Sequence, residues 1–376
     1  MTDAEQEARA TVQPLKRTAL AERHAALGAR MTPFAGWLMP VQYSSILEEV
    51  AAVRSRTGVF DISHMGRVLV RGGEAASFLQ YVTTNDIGIL QPGRAQYSLI
   101  PNPAGGIKDD IIVYRLAPDV FLVVLNASNT AKDLEWLQGH AGQSVEFEDR
   151  TTQTAMLAVQ GPEAPALVAS VWGEDLLQVS RFGFAARSVG HAEILFCRTG
   201  YTGEDGFELI VPAEYAASIW EELLGKGAVP CGLGARDVLR IEAGYPLYGH
   251  ELDEDVSPVE AGLMWVVKLN KGAFIGRERI EEIKHGEPRR RLMGLHVHHR
   301  IVPRQGYTLF LEDGPAGIVT SGAFSPTVGH SIGMAYVDHP YDRLGTVVEI
   351  EVRGQRIPAT LVPKKELIPT GGAAAA

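Results

Sequence analysis

The sequence is poor in cysteine and has no long apolar run, and each shortage excludes a class of protein. Cys197 and Cys231 are the only cysteines among 376 residues, which excludes a disulfide framework and a cysteine-rich metal site. No stretch reaches the roughly 18 consecutive apolar residues that a membrane-spanning helix needs. The first nine residues carry three acids and no apolar run, which argues against a secretory signal. We therefore expect a soluble cytoplasmic protein with no membrane partner.

Positive charge is also scarce relative to negative charge. Lys and Arg total 35 against 45 Asp and Glu, which gives a net charge of -10. Proteins that bind nucleic acids generally contact phosphates through a surplus of Lys and Arg, so we expect no nucleic-acid partner. The three arginines of 289–291 are a local exception. A solvated linker is the simpler interpretation of this run, and a docking patch for an acidic partner or a polyanionic tail is the alternative.

The pattern of the chain predicts an α+β protein whose last part is all β. Hydrophobic residues make up 45% of the sequence, and 40 glycines with 21 prolines favour many turns and short strands. Apolar residues recur at helical spacing over 15–27, 44–56, 74–82, 130–137 and 213–224, and strand-like runs lie between these segments. From about residue 291, strand-like runs follow one another without a helix, which favours a small antiparallel barrel or sandwich.

The charged segment 277–291 is the expected boundary between these two parts. We predict four segments, which are a mobile N-terminal segment 1–14, an α+β body 15–285, a barrel-like all-β domain 286–365 and a mobile tail 366–376.

Two short patterns that suggest other chemistry do not fit their surroundings. Residues 329–333 match the G-x-S-x-G turn of serine hydrolases around Ser331, but a strand-like run follows where such an enzyme needs a helix. A hairpin turn is the simpler interpretation. His296, His298 and His299 have no carboxylates close by in sequence, so we expect a solvated strand face and no bound metal.

Three segments concentrate the residues that can carry chemistry. The glycine-bearing turn 102–108 delivers Asp109 and Asp110 to a strand, where neighbouring side chains point in opposite directions. We therefore expect one acid to face a cleft and the other to meet solvent. A denser segment, 198–208, ends at Glu208, which needs a partner if it points inward. Arg236 and Arg240 then lie one helical turn apart, where they can hold a carboxylate or form structural salt bridges.

These segments resemble those of a known family, the aminomethyltransferases, which are the T-proteins of the glycine cleavage system. The resemblance runs in order from about residue 15 to 362 and is carried by the segments 61–66, 104–110, 198–208, 234–244, 258–263 and 274–277. It implies a folate-binding α+β body of two intertwined subdomains followed by a barrel. It also implies an enzyme that transfers the aminomethyl carbon from the lipoyl arm of H-protein to tetrahydrofolate. The products are 5,10-methylenetetrahydrofolate, ammonia and the dihydrolipoyl carrier.

The resemblance also implies site residues, partners and a co-substrate. Asp110 corresponds to the family's catalytic aspartate, and the implied folate pocket consists of Met65, Tyr97, Tyr114, Asn126, Tyr201, Glu208 and Arg236. Aromatic rings can stack on a pterin, a carboxylate can accept its paired N–H groups, and arginine suits the glutamate tail. Assigning Glu208 to the pterin and Arg236 to the tail is an additional hypothesis. We expect tetrahydrofolate as co-substrate, lipoylated H-protein as transient partner, no metal, and a monomer.

One departure from the family pattern and two alternatives remain. Family members often close the folate site with an aromatic near the C-terminus, whereas this chain has 363–368, Pro-Lys-Lys-Glu-Leu-Ile. Non-catalytic folate-binding relatives that support iron-sulfur protein maturation carry a Lys-Gly-Cys-Tyr segment, and here Ala273 replaces the cysteine. A folate-dependent demethylase is the second alternative, which the intact Asp109–Asp110 turn disfavours. Sarcosine and dimethylglycine dehydrogenases need a long flavin-binding region that 376 residues do not accommodate.

Overall fold

A computed structural model describes residues 14–312 and 314–368 of the chain. The two segments expected to be mobile, 1–14 and 366–376, lie outside the described residues except for residue 14 and residues 366–368. Within the described residues, no helix combines the length and the apolarity that crossing a membrane requires.

The α-helices of the described residues are short, and most bury one apolar face. They are α1 (Ala21–Ala26), α2 (Ile46–Ser55), α3 (Ala75–Val82), α4 (Thr130–Gly139), α5 (Ala164–Trp172), α6 (Ala216–Gly225), α7 (Leu233–Glu242) and α8 (Arg277–His285). In α2, the Ser45 hydroxyl accepts from the Glu48 N–H at 3.2 Å and so caps the first turn, while Val50 and Val53 are buried. This helix lies within the predicted segment 44–56.

Six strands of the body cover strand-like runs that the sequence predicts, five of them with additional residues, and the other strands are not among those runs. They are β1 (Lys16–Arg17), β2 (Arg30–Phe34), β3 (Trp37–Gln42), β4 (Gly58–Asp61), β5 (Gly66–Arg71), β6 (Arg94–Pro101), β7 (Ile107–Ala117), β8 (Val120–Leu125), β9 (Glu146–Asp149), β10 (Thr154–Gln160), β11 (Phe184–Val189), β12 (Ala192–Cys197), β13 (Gly206–Pro212) and β14 (Val229–Pro230). Asp110 therefore lies within β7 and not at its beginning.

One helix prediction is wrong, and one helix was not predicted. The segment 15–27 was expected to be one helix, but β1 pairs in parallel with β3 and only α1 is helical. The segment 277–291, which we expect to be the domain boundary, contains a helix that the sequence pattern does not predict, because its first nine residues form α8 with Ile280 fully buried. Helical periodicity from one or two apolar residues is too weak to distinguish a short packed helix from a linker.

Two sheets of the body are intertwined along the chain, which confirms the expected α+β class. One sheet has the order β11-β12-β13-β10-β4-β14, and the other has the order β6-β7-β8-β5-β9. The chain leaves the first sheet after β4, forms all of the second sheet, and returns at β10. The smaller sheet β1-β3-β2 lies at the N-terminal end.

The C-terminal part is a closed antiparallel barrel, as predicted. Its strands are β15 (Arg290–Val297), β16 (Thr308–Leu311), β17 (Gly314–Ser325), β18 (His330–Asp338), β19 (Val347–Val352) and β20 (Gln355–Val362), and they close in the order β15-β18-β17-β16-β19-β20. Ser331 lies in β18 and donates to the Arg300 carbonyl at 3.1 Å. Leu367 is fully buried against Gly294, so the packed chain continues beyond residue 365.

The arginine run 289–291 begins the barrel and is largely paired. Arg290 lies 3.1 Å from Glu260 and over the ring of Tyr336, and Arg291 lies 3.0 Å from Asp342. Two of the three charges are therefore matched by acids, which weakens the alternative of a docking patch at this run.

A central core connects all of these parts. It consists of buried residues from the inner faces of the two large sheets, from α2 and α7, and from the barrel. Separate clusters fill the outer face of each large sheet and the inside of the barrel. The predicted site residues lie beside or within the central core, where the two sheets and α7 meet.

Candidate active site

Strand β7 presents its two acids to different layers. Asp110 shares a face with Ile112 and Tyr114, which contact the central core, whereas Asp109 shares the opposite face with Ile111 and Val113, which pack in the outer cluster. The predicted opposition of the two acids is therefore correct. The expectation that one of them meets solvent is wrong, because helix α4 and its N-terminal residues cover the outer face and Asp109 is fully buried.

Asp110 is a half-buried acid with two polar partners. The Tyr97 hydroxyl on the neighbouring strand β6 donates to Asp110 Oδ2 at 3.0 Å, and the Asn126 side-chain amide donates to Oδ1 at 2.9 Å. Burial and the nearby charge of Asp109 raise the pKa of Asp110 to about 7, and the two hydrogen bonds oppose this rise. The carboxyl group can therefore gain or lose a proton near neutral pH.

Asp109 holds Asn126 in place. Asp109 Oδ2 accepts from the Asn126 backbone N–H at 3.0 Å, and Oδ1 accepts from the Asn126 side-chain amide at 2.8 Å. Asn129, which precedes α4, donates to the same Oδ1 at 2.7 Å. Because the Asn126 amide contacts both acids, it connects the face of β7 that carries Asp110 with the layer behind it.

Glu208 lies on the other large sheet and also faces the central core. Its neighbours Phe207 and Leu209 pack in the outer cluster, so alternation turns Glu208 inward. Thr199 donates to Glu208, and the Tyr114 hydroxyl lies 3.0 Å from the Thr199 oxygen. Since the single Thr199 proton goes to Glu208, Tyr114 is the donor to Thr199. Burial raises the pKa of Glu208, while the Thr199 hydrogen bond and the Arg236 charge oppose the rise.

Arg236 on α7 faces Glu208 without touching it. Its guanidinium lies over the Tyr201 ring at 4.9 Å, and its Nη1 is buried with no hydrogen-bond partner in the described part of the chain. Burial lowers the pKa of Arg236, and the charge of Glu208 opposes this effect. A buried guanidinium nitrogen without a partner is costly, so this arrangement is suited to an anionic or hydrogen-bond-accepting ligand.

Arg240 lies one turn further along α7 and has the structural role. It is fully buried, and it donates to Glu251 at 2.8 Å, to the Ser321 hydroxyl at 2.7 Å and to Asp237 at 2.9 Å. Ser321 belongs to the barrel, so Arg240 joins the body to the barrel. Of the two arginines, only Arg236 has a donor nitrogen available.

The remaining predicted residues, Tyr201 and Met65, lie in the same region. Tyr201 packs near Tyr245 and donates to the Pro246 carbonyl. Burial raises the pKa of Tyr201, and the charge of nearby Asp110 raises it further. Met65 lies in the connection from β4 to β5 and packs against the central core. The structure thus brings the predicted residues of both sheets and of α7 to one region.

Sequence reasoning missed several residues of this region. Trp265 is 59% exposed, and its ring stacks on Tyr97 with centroids 5.7 Å apart and an angle of 14°. His64 is nearly fully buried, and burial, followed by the Arg236 charge, lowers its pKa to about 3, so it is neutral at physiological pH. Thr199 lies in the segment 198–208, and its position in the sequence gives no signal that it donates to Glu208. The exposure of Trp265 and its stacking on Tyr97 cannot be recognised from the sequence alone.

The described residues contain no group of three or more His, Cys, Asp or Glu side chains placed to hold a metal ion. The three histidines of 296–299 have other contacts. His296 lies beside His330 with ring centroids 5.1 Å apart, His298 contacts the Thr360 hydroxyl at 2.7 Å, and His299 accepts from the Ile301 N–H at 3.0 Å.

Two family models match the chain in succession. The GCVT N-terminal domain matches residues 20–271, and the glycine cleavage T-protein C-terminal barrel domain matches residues 290–365. This chain belongs to the glycine cleavage T-protein family. The gap between the two matches contains α8, the helix that the sequence pattern did not predict.

Similar proteins of known sequence and structure agree with this membership. An aminomethyltransferase of Geobacillus kaustophilus is 47% identical over 355 residues, which cover 93% of this chain and 98% of the relative. An aminomethyltransferase of Desulforamulus reducens is 45% identical over 357 residues, with 94% and 98% covered. The crystal structure of glycine cleavage system aminomethyltransferase T from Bartonella henselae superposes with a TM-score of 0.89 at 35% identity, covering 94% of this chain and 98% of that one.

Proposed function

We propose that this protein is the aminomethyltransferase of a glycine cleavage system. In this reaction, the aminomethyl group on a lipoyl arm of H-protein and tetrahydrofolate yield 5,10-methylenetetrahydrofolate, ammonia and the dihydrolipoyl arm. The carbon–sulfur and carbon–nitrogen bonds of the aminomethyl group break, two bonds to folate nitrogens form, and the two protons leaving those nitrogens are taken up by the sulfur and the ammonia. The full-length similarity to aminomethyltransferases supports this reaction.

One observation carries the proposal beyond family membership. Asp110, whose pKa of about 7 allows proton exchange near neutrality, faces the region in which Arg236 keeps an unpartnered donor nitrogen. A reactive acid and an unsatisfied guanidinium together are the arrangement expected where a ligand with N–H groups at one end and carboxylates at the other has to bind. Tetrahydrofolate has these two ends.

The side chains of this region suggest how such a ligand is held. Glu208 has one oxygen engaged by Thr199, which leaves capacity to accept N–H groups of a pterin edge. Trp265 stacks on one face of Tyr97 and Arg236 lies over one face of Tyr201, so the opposite ring faces are the ones proposed for stacking. Met65 and Tyr114 contribute apolar side chains around them. Arg236 is the proposed anchor for the glutamate end. The proposed folate pocket consists of Met65, Tyr97, Tyr114, Asn126, Tyr201, Glu208 and Arg236.

Asp110 is the proposed catalytic residue. Its carboxylate, held by Tyr97 and Asn126, would accept a hydrogen bond from the attacking folate nitrogen and take the proton that this nitrogen loses. Because both hydrogen bonds fix the carboxylate orientation, the acid is positioned before the substrate arrives. The lipoyl arm would approach from the side of the exposed Trp265, which covers Tyr97.

The alternatives have less support. The relatives above are named aminomethyltransferases, which disfavours a demethylase. The segment that carries a cysteine in iron-sulfur maturation relatives has a packing role here, because Lys271 donates to the carbonyls of Gln80, Thr83 and Asn85 at the end of α3. Lys271 thereby stabilises the C-terminal end of that helix.

The proposal also covers the partner, the oligomeric state and the cellular location of the enzyme. We expect lipoylated H-protein as a transient partner, a monomeric enzyme and a cytoplasmic location. The bacterial relatives and the two buried free cysteines, Cys197 and Cys231, are in keeping with a reducing compartment.

Binding and turnover test the proposal separately. Calorimetry with tetrahydrofolate should give a single site that Glu208→Ala weakens about ten- to a hundredfold. Wild-type affinity in Glu208→Ala would contradict the proposed pterin contact. Production of ammonia from aminomethylated H-protein should require both the carrier and tetrahydrofolate.

A further inference from the structure

Asp133 is a buried acid behind the site that the proposed reaction does not use. It lies in the first turn of α4 and is fully buried. Both of its carboxyl oxygens are buried, and no N–H or O–H group of the described residues donates to either of them. An ionised carboxylate in such surroundings carries a large desolvation cost, so its proton state needs an explanation.

The neighbouring acid Asp109 has the opposite surroundings. It is also fully buried, but three donor groups from Asn126 and Asn129 reach its oxygens at 2.7 to 3.0 Å. Asn129 contacts both acids, because its carbonyl accepts from the Asp133 N–H at 2.8 Å and its side-chain amide donates to Asp109 at 2.7 Å. Both carboxyl groups are therefore buried beside the same residue. Two adjacent buried carboxyl groups do not both ionise, and the one with donors retains the negative charge. The shared proton therefore belongs to Asp133.

The cations around Asp133 do not change this assignment. Lys132 Nζ lies 3.8 Å from Asp133 Oδ1, but it donates to the Lys108 carbonyl at 2.6 Å and to the Tyr248 hydroxyl at 3.0 Å. Lys108 Nζ lies 3.1 Å from both oxygens of Glu254. Burial and the charge of Asp109 raise the pKa of Asp133 to about 10 despite both lysines.

We propose that Asp133 is a positioning residue that remains un-ionised and donates its carboxylic O–H to Asp109. Asp109 then stays fixed as an anion, and it orients the Asn126 amide whose N–H groups reach Asp109 and Asp110 together. The effect on turnover rests on the proposed function of Asp110, whereas the proton on Asp133 does not. Helix α4 thus contributes to the site without reaching any substrate.

Two variants separate a hydrogen-bond donor from a charge. Asp133→Asn keeps a donor of the same shape, so turnover should stay within about threefold of wild type and the midpoint of the pH profile should not move. Asp133→Ala removes the donor, and kcat should fall about tenfold or more while the KM for tetrahydrofolate changes little. A midpoint that moves to lower pH in Asp133→Asn would show that Asp133 carries a charge, and this result would overturn the proposal.

The proton itself can be observed without any substrate. At about pH 8, ordinary carboxyl groups are ionised, so the infrared difference spectrum of wild type minus Asp133→Asn should contain the band of a protonated carboxylic acid. If the wild-type and Asp133→Asn difference spectrum lacks this band, Asp133 is ionised and the proposal fails, whatever reaction the enzyme catalyses. Unchanged kcat in Asp133→Ala would overturn the positioning role even if the band is present.

Discussion

The Tyr97 hydroxyl donates a hydrogen bond to Asp110 over 3.0 Å, from the strand next to the one that carries the acid. The Tyr97 ring is in turn stacked on the exposed Trp265. An aromatic pair at the surface therefore fixes one side of the acid, while the Asn126 amide fixes the other. The orientation and the proton affinity of Asp110 both depend on these two contacts.

Tyr97→Phe should shift the pH profile upward. The Tyr97 hydrogen bond favours the ionised carboxylate and lowers the pKa of Asp110, so its loss should raise that pKa above the present value of about 7. The midpoint of kcat/KM against pH should move to higher pH by about 0.5 to 1 unit. Tyr81→Phe, which changes an exposed tyrosine on α3, is the matched control and should leave the midpoint in place. A downward shift in Tyr97→Phe would contradict the assignment.

Asp110→Asn should lower turnover and raise the melting temperature at about pH 8. Turnover should fall at least about 100-fold, within the range for acid–base groups, while tetrahydrofolate still binds. The folded pKa of about 7 lies above the unfolded value near 4, so the native state binds more protons between these values. This carboxyl group therefore makes the native state less stable as pH rises from about 4 to 7. Asp110→Asn should melt higher than wild type at about pH 8 and alike at about pH 4, as scanning calorimetry can measure.

Arg236→Met and Arg240→Met should have opposite effects, although the two residues lie on one helix. Arg236→Met removes a guanidinium with an unpartnered nitrogen, so folate affinity should fall about ten- to a hundredfold with stability unchanged or raised. Arg240→Met leaves the buried Glu251 carboxylate without its cation and should destabilise the fold by about 3 to 5 kcal/mol. Calorimetric titration and urea unfolding of both variants distinguish the roles. Equal losses of stability in the two variants would refute the separate roles assigned to Arg236 and Arg240.

Gly106→Ala should destabilise the turn that leads into β7. A Cβ at Gly106 would lie 1.8 Å from the Glu254 carbonyl oxygen, a backbone atom that cannot move aside easily. We expect a loss of about 1 to 3 kcal/mol in urea unfolding, with lower activity because this turn precedes Asp109 and Asp110. Gly139→Ala is the control, because nothing lies within 4 Å of its added Cβ. It should be neutral or stabilising by up to about 1 kcal/mol.

Much of the candidate site follows from local patterns in the sequence. Strand alternation predicts that Asp109 and Asp110 point in opposite directions, and it turns Glu208 inward away from its apolar neighbours. Sequence alone does not say what covers each face. Helix α4 buries Asp109, so the acid expected in solvent is instead held by Asn126 and Asn129.

Long-range partners explain the rest of the differences. Arg236 and Arg240 occupy equivalent positions on one helix face, and only the packing of Glu251 and the barrel residue Ser321 against Arg240 separates their roles. Helix α8 was missed because one fully buried residue, Ile280, anchors it among charged neighbours. The helix predicted over 15–27 is too long, because Lys16 and Arg17 pair with β3 as a strand and this pairing overrides the local helical spacing.

The central claim is that the chain transfers an aminomethyl carbon to folate, and one measurement addresses it most directly. The purified protein is mixed with aminomethylated lipoyl H-protein and tetrahydrofolate, and ammonia and 5,10-methylenetetrahydrofolate are quantified together. We expect both products in equal amounts with wild type, and a rate at least about 100-fold lower with Asp110→Asn. Tight folate binding without either product from the wild-type protein would contradict the claim.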